Sequence, residues 1–309
     1  MKPATFEYYT ASTVDDAVSK LSQLGSDAKV IAGGQSLIPM MKMRLVRPTA
    51  LLDINDVLAL DYVRLESQYV SIGAMRRLST LSHCKTVFPC DLIGEALPHI
   101  GHDATRNRGT LCGSIAHADP TAEMPVIACC LKAQIVTLGT NGQRIISAQD
   151  FFISFFETSL DATELITEVR LPLLPVGTGW AFHELSKHHA KFALVAVTLG
   201  RSKEGSVLNA KIAMGAIGDR PIRAEAAESE LEGSPGTAKA FRAAAATAVA
   251  ELDPKSDVHG TGTYRKKAVQ VLVERALNDA WQRSYCPGAS VLRESLRMEN
   301  QADTRTRPN

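Results

Sequence analysis

Apolar residues at Val14, Ala17, Val18, Leu21 and Leu24 lie on one face of a helix, with Ser12 or Thr13 placed to cap it and Gly25 to stop it. Phe6 and Tyr8 predict a short strand before this helix, and residues 29–32 a second strand that runs into Gly33-Gly34. Residues 37–46 are apolar and rich in methionine; they predict a short helix interrupted near Pro39, with Met40, Met41 and Met43 as core filler. Residues 50–54 predict a returning strand that completes a β-α-β-α-β unit. Residues 62–65 and 69–72 then read as a hairpin across Ser67-Gln68, followed by helical stretches from Leu78 and over 92–97. A buried helix is expected over 123–131, a strand over 134–138, a turn at Asn141-Gly142 and a return strand over 144–147, with 151–156 and 164–171 closing this part. Beyond Trp180, strands are expected over 193–199 and 210–216, separated by the polar turn 201–206. Alanine-rich helices over 224–231 and 238–252 are split by Gly233-Ser234-Pro235-Gly236. A last helix over 263–281 sets Tyr264, Ala268, Leu272 and Ala276 at fourfold spacing beside Val269 and Val273, and 298–309 is polar and expected to be disordered.

Residues 105–120, TRNRGTLCGSIAHADP, stand apart from this pattern: they read as a loop with too few large apolar residues to be core. Small residues let backbone approach a ligand, and successive free N–H groups in such a turn form an anion-binding concavity. The segment 30–37, VIAGGQSL, has the same character, a β-branched run ending in a glycine pair followed by a hydroxyl. Alone, a glycine pair after a strand is most often a tight turn. Two such segments without the lysine of a nucleoside-triphosphate loop favour a diphosphate that is held rather than transferred, and no G-x-G-x-x-G follows an expected strand.

The 309 residues, 45% hydrophobic and 22% charged, suit a soluble chain of two or three parts. A net charge of +1 gives no electrostatic reason to expect nucleic acid or an acidic membrane. The N-terminus has no apolar h-region, and the apolar run 124–136 is too short to span a bilayer, so a cytoplasmic location without a membrane span is expected. Cys84, Cys90, Cys112, Cys129, Cys130 and Cys286 show neither C-x-x-C nor cluster spacing; they read as packing residues, and the chain is not expected to hold its own metal cluster.

AGGQSLIPMMKMRL with RNRGTLCGSIAHADPTAEMP resembles the FAD-binding medium subunit of the molybdenum hydroxylases (the carbon monoxide, quinoline, nicotine and xanthine dehydrogenase type), from the N-terminus to about Leu277. The resemblance implies an α+β fold in parts: an N-terminal α/β unit (1–55), a middle α+β part (56–176) that shares FAD with it, a C-terminal antiparallel sheet with helices (177–285), and a polar tail (286–309). It implies FAD contacts from Ile31, Ala32, Gly33, Gly34, Gln35, Ser36 and Leu37, and from Gly109, Thr110, Cys112, Gly113, Ser114, Ala116 and His117. Glu123 matches an acidic flavin contact, Ile100, Leu165 and Ile166 match apolar positions flanking the isoalloxazine, and His183 matches a basic residue near the ring. Ordinary core packing accounts equally for the three apolar residues, and an exposed turn for His183.

Two departures stand out. Cys112 replaces the first glycine of T-x-G-G, and restoring glycine there is expected to be silent or slightly favourable. Ala190-Lys191 replaces the family's Gly-Asp, so no role of that aspartate carries over. The His188-His189 pair reads as a solvated loop rather than a metal site. The resemblance further implies partners: a small subunit with two-iron two-sulfur clusters and a large subunit with the molybdenum cofactor, assembled as a dimer of heterotrimers. A free-standing FAD oxidoreductase of the vanillyl-alcohol-oxidase type, and a binding module that has lost its flavin, are the alternatives.

Overall fold

The computed structural model describes residues 2–82, 91–187 and 190–284. Cys84, Cys90, Cys286, the His188-His189 pair and the tail 298–309 lie outside the described residues.

The chain opens with β1 (Glu7–Thr10), α1 (Val14–Leu24), β2 (Ala28–Ile31), α2 (Leu37–Lys42) and β3 (Ala50–Asp53). Thr13 caps α1 by accepting from the Asp16 N–H, Gly25 closes it at φ 73°, and the helix buries Ala17, Val18 and Leu21. The three strands are parallel in the order β1-β3-β2, so their carboxyl ends, Thr10, Asp53 and Ile31, finish level. Ligands of open α/β sheets bind at such an edge. The glycine pair leaves β2 there. Pro39 does not interrupt α2: it is the third residue of the helix, where the N–H that proline lacks has no partner to lose. Met41 is buried, whereas Met43 is 55% exposed and fills no core.

Next come β4 (Val63–Leu65), β5 (Tyr69–Gly73), α3 (Leu78–Leu81), α4 (Leu92–Ala96), α5 (Asp103–Arg108), α6 (Leu111–His117) and α7 (Glu123–Cys130). They lead to β6 (Gln134–Gly139), β7 (Gly142–Ser147), α8 (Ala148–Phe151), β8 (Phe152–Ser154), β9 (Glu157–Thr158) and β10 (Leu165–Pro172). Five of these strands form an antiparallel sheet ordered β4-β5-β10-β6-β7, with α6 packed on β10. The segment 105–120 is therefore mostly helix rather than loop. A helix of under two turns needs few apolar residues to dock, and Leu111, Cys112 and Ile115, at i, i+1 and i+4, are all buried on one side. The first sheet's helix and strands and the second sheet share one hydrophobic cluster that runs from Ala11 to Ala216.

The last part is β11 (Gly179–Lys187), β12 (Ala190–Arg201), β13 (Val207–Gly215), β14 (Ile222–Arg223), α9 (Glu225–Leu231), α10 (Ala238–Val249) and α11 (Gly262–Arg283), with the strands antiparallel in that order. The sheet is covered on both faces. Along β12, Leu194 and Ala196 join the cluster of the preceding parts, while Ala193, Val195 and Val197 pack under the helices. Burial on both faces explains why this strand is an unbroken apolar run without alternation. In α11 the buried stripe is Val269, Leu272, Val273, Ala276, Leu277 and Ala280, together with Arg265; Tyr264 is 51% exposed, one step off the stripe expected from fourfold spacing. Glu95 on α4 ties this part to the middle sheet, accepting from Arg283 at 2.6 and 2.9 Å and from the Phe182 N–H at 3.2 Å.

Candidate cofactor-binding site

The two glycine segments meet. A Cβ built on Gly33 would lie 2.1 Å from the Arg108 carbonyl oxygen, and one on Gly109 would lie 3.9 Å from Cγ of Gln35. Residue 33 is therefore glycine because the second segment's backbone occupies its side-chain space. Gly34 is required differently: its φ is +69°, in the left-handed region that favours glycine.

Beyond Ile31, the N–H groups of Gly33, Gly34, Gln35, Ser36 and Leu37 find no acceptor among the described residues. Ser36 precedes α2 without using its hydroxyl as a cap. Among the described residues, these five successive amides and the Ser36 hydroxyl form a donor set with no matching acceptors, the chemistry that a phosphate or diphosphate requires. The residues present thus fit the diphosphate of a dinucleotide.

In the second segment Thr110, only 2% exposed, caps α6 by accepting from the Gly113 N–H at 3.0 Å. A Cβ at Gly113 would meet that hydroxyl at 2.8 Å, so glycine here protects the cap. Cys112 sits in the first turn of α6 with Sγ 3.8 Å from the Ile72 carbonyl oxygen, and its φ is not positive. Burial pushes its thiol pKa far up, which keeps it protonated and inert. Restoring glycine at 112 would open a void and loosen the helix, so the expectation of a silent change is corrected to a destabilising one. Ser114 is half-buried and Ala116 exposed on the same helix. The His117 ring lies 5.0 Å from that of Phe156, and burial holds its pKa below the usual imidazole value.

Ile100 is half-buried, its carbonyl held by Arg106 at 2.8 Å at the start of the stretch leading into α5. Leu165 and Ile166 are buried in β10 against β6, beneath α6. Glu123 opens α7 and is 3% exposed; its carboxylate accepts from Lys191 at the start of β12. Burial raises its pKa and the Lys191 ammonium opposes that rise. Glu184 lies 3.6 Å from the same ammonium, and its Oε2, 3.8 Å from His99 Nδ1, is buried without a hydrogen bond.

His183 is not brought to this site. Residues 179–187 form a strand that sequence reading left unassigned, and alternation along it sends Phe182 and Glu184 toward His99 and the middle part. His183 faces the opposite way and contacts Asp279 of α11 through Nε2 at 2.8 Å. Two further residues at the loop junction were not recognised in the sequence. Asn55, just beyond β3, donates to the Ala32 carbonyl oxygen at 2.9 Å, and Arg77, just before α3, donates to Asn55 Oδ1 at 2.6 Å and to the Arg108 carbonyl oxygen at 2.5 Å. Neither carries a local signal; an Asp-x-Asn step after a strand reads only as a turn.

This geometry has known counterparts. A family model described as the FAD-binding domain in molybdopterin dehydrogenase matches residues 4–174, and one for the CO dehydrogenase flavoprotein C-terminal domain matches residues 180–280. The chain belongs to the FAD-binding medium subunits of the molybdenum hydroxylases, an oxidoreductase family. Among individual relatives, it is 39% identical to the 6-hydroxypseudooxynicotine dehydrogenase complex subunit alpha of Paenarthrobacter nicotinovorans, over 92% of this chain and 97% of that one. It is 38% identical to the carbon monoxide dehydrogenase medium chain of Hydrogenophaga pseudoflava, over 92% and 99%. Solved structures agree: a chain of the Hydrogenophaga pseudoflava carbon monoxide dehydrogenase superposes with a TM-score of 0.87 at 39% identity (92% and 99% covered), and one of quinoline 2-oxidoreductase from Pseudomonas putida 86 with 0.87 at 32% (93% and 100%). Among the described residues, no helix is long and apolar enough to cross a membrane.

Proposed function

We propose that this chain is the electron-transfer subunit of a molybdenum-containing hydroxylase, taking electrons from two-iron two-sulfur clusters in a small partner subunit and delivering them to an external acceptor. The observation that carries the reading is the run of five unpaired amides from Gly33 to Leu37, docked on the second glycine segment in a chain of this family. Bound there, FAD supplies the one- and two-electron redox chemistry. The chain's own residues bind and orient. The Gly33–Leu37 amides and the Ser36 hydroxyl hold the diphosphate, and the seam formed by Ile31, Ala32, Gly109, Thr110, Cys112 and Gly113 keeps the two segments in register. Ser114, Ala116 and His117 line the exposed side of α6, Ile100, Leu165 and Ile166 provide apolar surface for the ring, and Glu123 is placed by Lys191. We assign the FAD site to the parts spanning 1–55 and 56–176, with 177–285 packed against them. The substrate is hydroxylated in a large partner subunit with the molybdenum cofactor, the whole forming a dimer of heterotrimers in the cytoplasm.

The test is partner dependence. The purified chain is expected to oxidise no organic substrate, while its flavin, once reduced chemically, is reoxidised by an added acceptor. Adding the iron–sulfur and molybdenum subunits restores turnover, with flavin reduction following cluster reduction in stopped-flow traces. Steady turnover of a small molecule by the chain alone would replace this reading with a free-standing oxidase.

A further inference from the structure

A cation, Arg77, stands at the seam between the glycine segments. Arg77 is half-buried, and among the described residues no carboxylate lies within ion-pair distance of it, Asp61 and Asp53 acting on it only at longer range. Its guanidinium is spent on neutral oxygens instead: Nη1 on the Arg108 carbonyl at 2.5 Å and Nη2 on the Asn55 side chain at 2.6 Å. Asn55 passes the connection on, donating to the Ala32 carbonyl at 2.9 Å, and is itself fixed by Asp53 Oδ1, which accepts from the Asn55 N–H at 2.7 Å. The result is a continuous strut, Ala32–Asn55–Arg77–Arg108, from the backbone before the first glycine pair to the backbone of the second segment. It grips the same Arg108 carbonyl that fills the missing side-chain space of Gly33. Both ends are backbone, so the strut sets a distance between main chains. The Arg108 side chain is a second guanidinium at this seam, and the two repel: burial and Arg108 lower the Arg77 pKa, while Asp61 and Asp53 oppose that fall. Asp53 and Asp61 offset part of this charge, and the five N–H groups beside it that find no acceptor among the described residues add donors suited to an anion.

We propose that Arg77 is the positioning residue of the cofactor site, fixing the spacing of the two glycine segments through Asn55 and biasing the site toward a diphosphate-bearing ligand by its charge. The inference rests on the reading that FAD binds between these segments. Arg77 acts through the backbone it holds, and its charge acts at a distance that salt screens.

Titration of the flavin-free full chain with FAD and with ADP, at several salt concentrations, tests it. Arg77→Met is expected to weaken both ligands about tenfold to a hundredfold, the loss of hydrogen bonds to a charged group expressed as affinity, and to flatten the salt dependence. Asn55→Ala keeps the charge and breaks the strut, so it should weaken FAD while retaining the wild-type salt dependence. Arg77→Lys keeps the charge without the two-pronged geometry and should fall between; it decides the matter if Arg77→Met does not fold. Unchanged FAD affinity in Arg77→Lys and Asn55→Ala, or in a folded Arg77→Met, would overturn the role of Arg77. Failure of the wild-type chain to bind FAD or ADP would instead overturn the reading of the site on which it rests.

Discussion

Gly33→Val is expected to abolish flavin retention while leaving the C-terminal sheet folded. The added Cβ would sit 2.1 Å from the Arg108 carbonyl oxygen and 2.7 Å from its carbon, both backbone atoms that cannot rotate away. The two segments must part, and the amides from Gly33 to Leu37 then lose their register with the second segment. Losing two hydrogen bonds to a charged group costs about 3–6 kcal/mol, which is roughly a hundredfold or more in affinity. Gly34→Ala is the informative comparison. Its nearest neighbours would be side-chain atoms, Ile31 Cδ1 and Ile38 Cγ1 at 3.2 Å, rather than backbone, so the strain comes mainly from φ +69° and the loss should be smaller. Flavin content per chain after gel filtration measures both, and circular dichroism reports whether the fold persists. Wild-type flavin content in Gly33→Val would show that the segments do not need their contact to hold the cofactor.

The second large effect is expected at Lys191, where the family's aspartate is missing. Lys191 carries the ammonium that faces two carboxylates, Glu123 and Glu184, each with a side chain only 4% exposed. Removing one partner of a buried pair leaves an uncompensated charge and typically costs about 3–5 kcal/mol. Lys191→Met should therefore lower the melting temperature markedly, and it should also loosen the start of α7, because Glu123 opens that helix. Adding Glu123→Gln to Lys191→Met should restore part of the loss, since a neutral amide costs less to bury than an unpaired carboxylate. Additive losses in the double variant would mean that the two residues do not interact in solution. An aspartate at 191 would confront both carboxylates, so Lys191→Asp should be the worst of the series.

The glycine segments were legible in the sequence because glycine itself marks them: a left-handed φ at Gly34 and a protected cap at Gly113 are local demands, and the contact at Gly33, though made by the distant Arg108 backbone, also shows as a glycine. The first helix was equally legible, its period, cap and stop agreeing with one another. What escaped were arrangements set by distant parts of the chain. The helix over residues 111–117 was hidden because so short an element shows fewer than two repeats of its period. The strand over residues 179–187 is covered on both faces and carries Phe, His and Glu together, which hides its alternation. The resemblance set His183 near the ring, whereas in this strand it faces α11, one residue from Glu184 on the other face. Arg77 and Asn55 meet across 22 positions of sequence and Lys191 and Glu123 across 68, separations at which no periodicity operates. Pro39 and Cys112 were misjudged by rules that hold in helix interiors and glycine turns respectively; both residues sit in a first helical turn, where the constraints differ.

The most direct measurement of the central claim is the visible spectrum of the purified chain, before and after denaturation. A yellow protein is expected, with stoichiometric, non-covalent FAD that passes into the soluble fraction when the protein is denatured. A colourless chain that cannot be reconstituted with added FAD would contradict it.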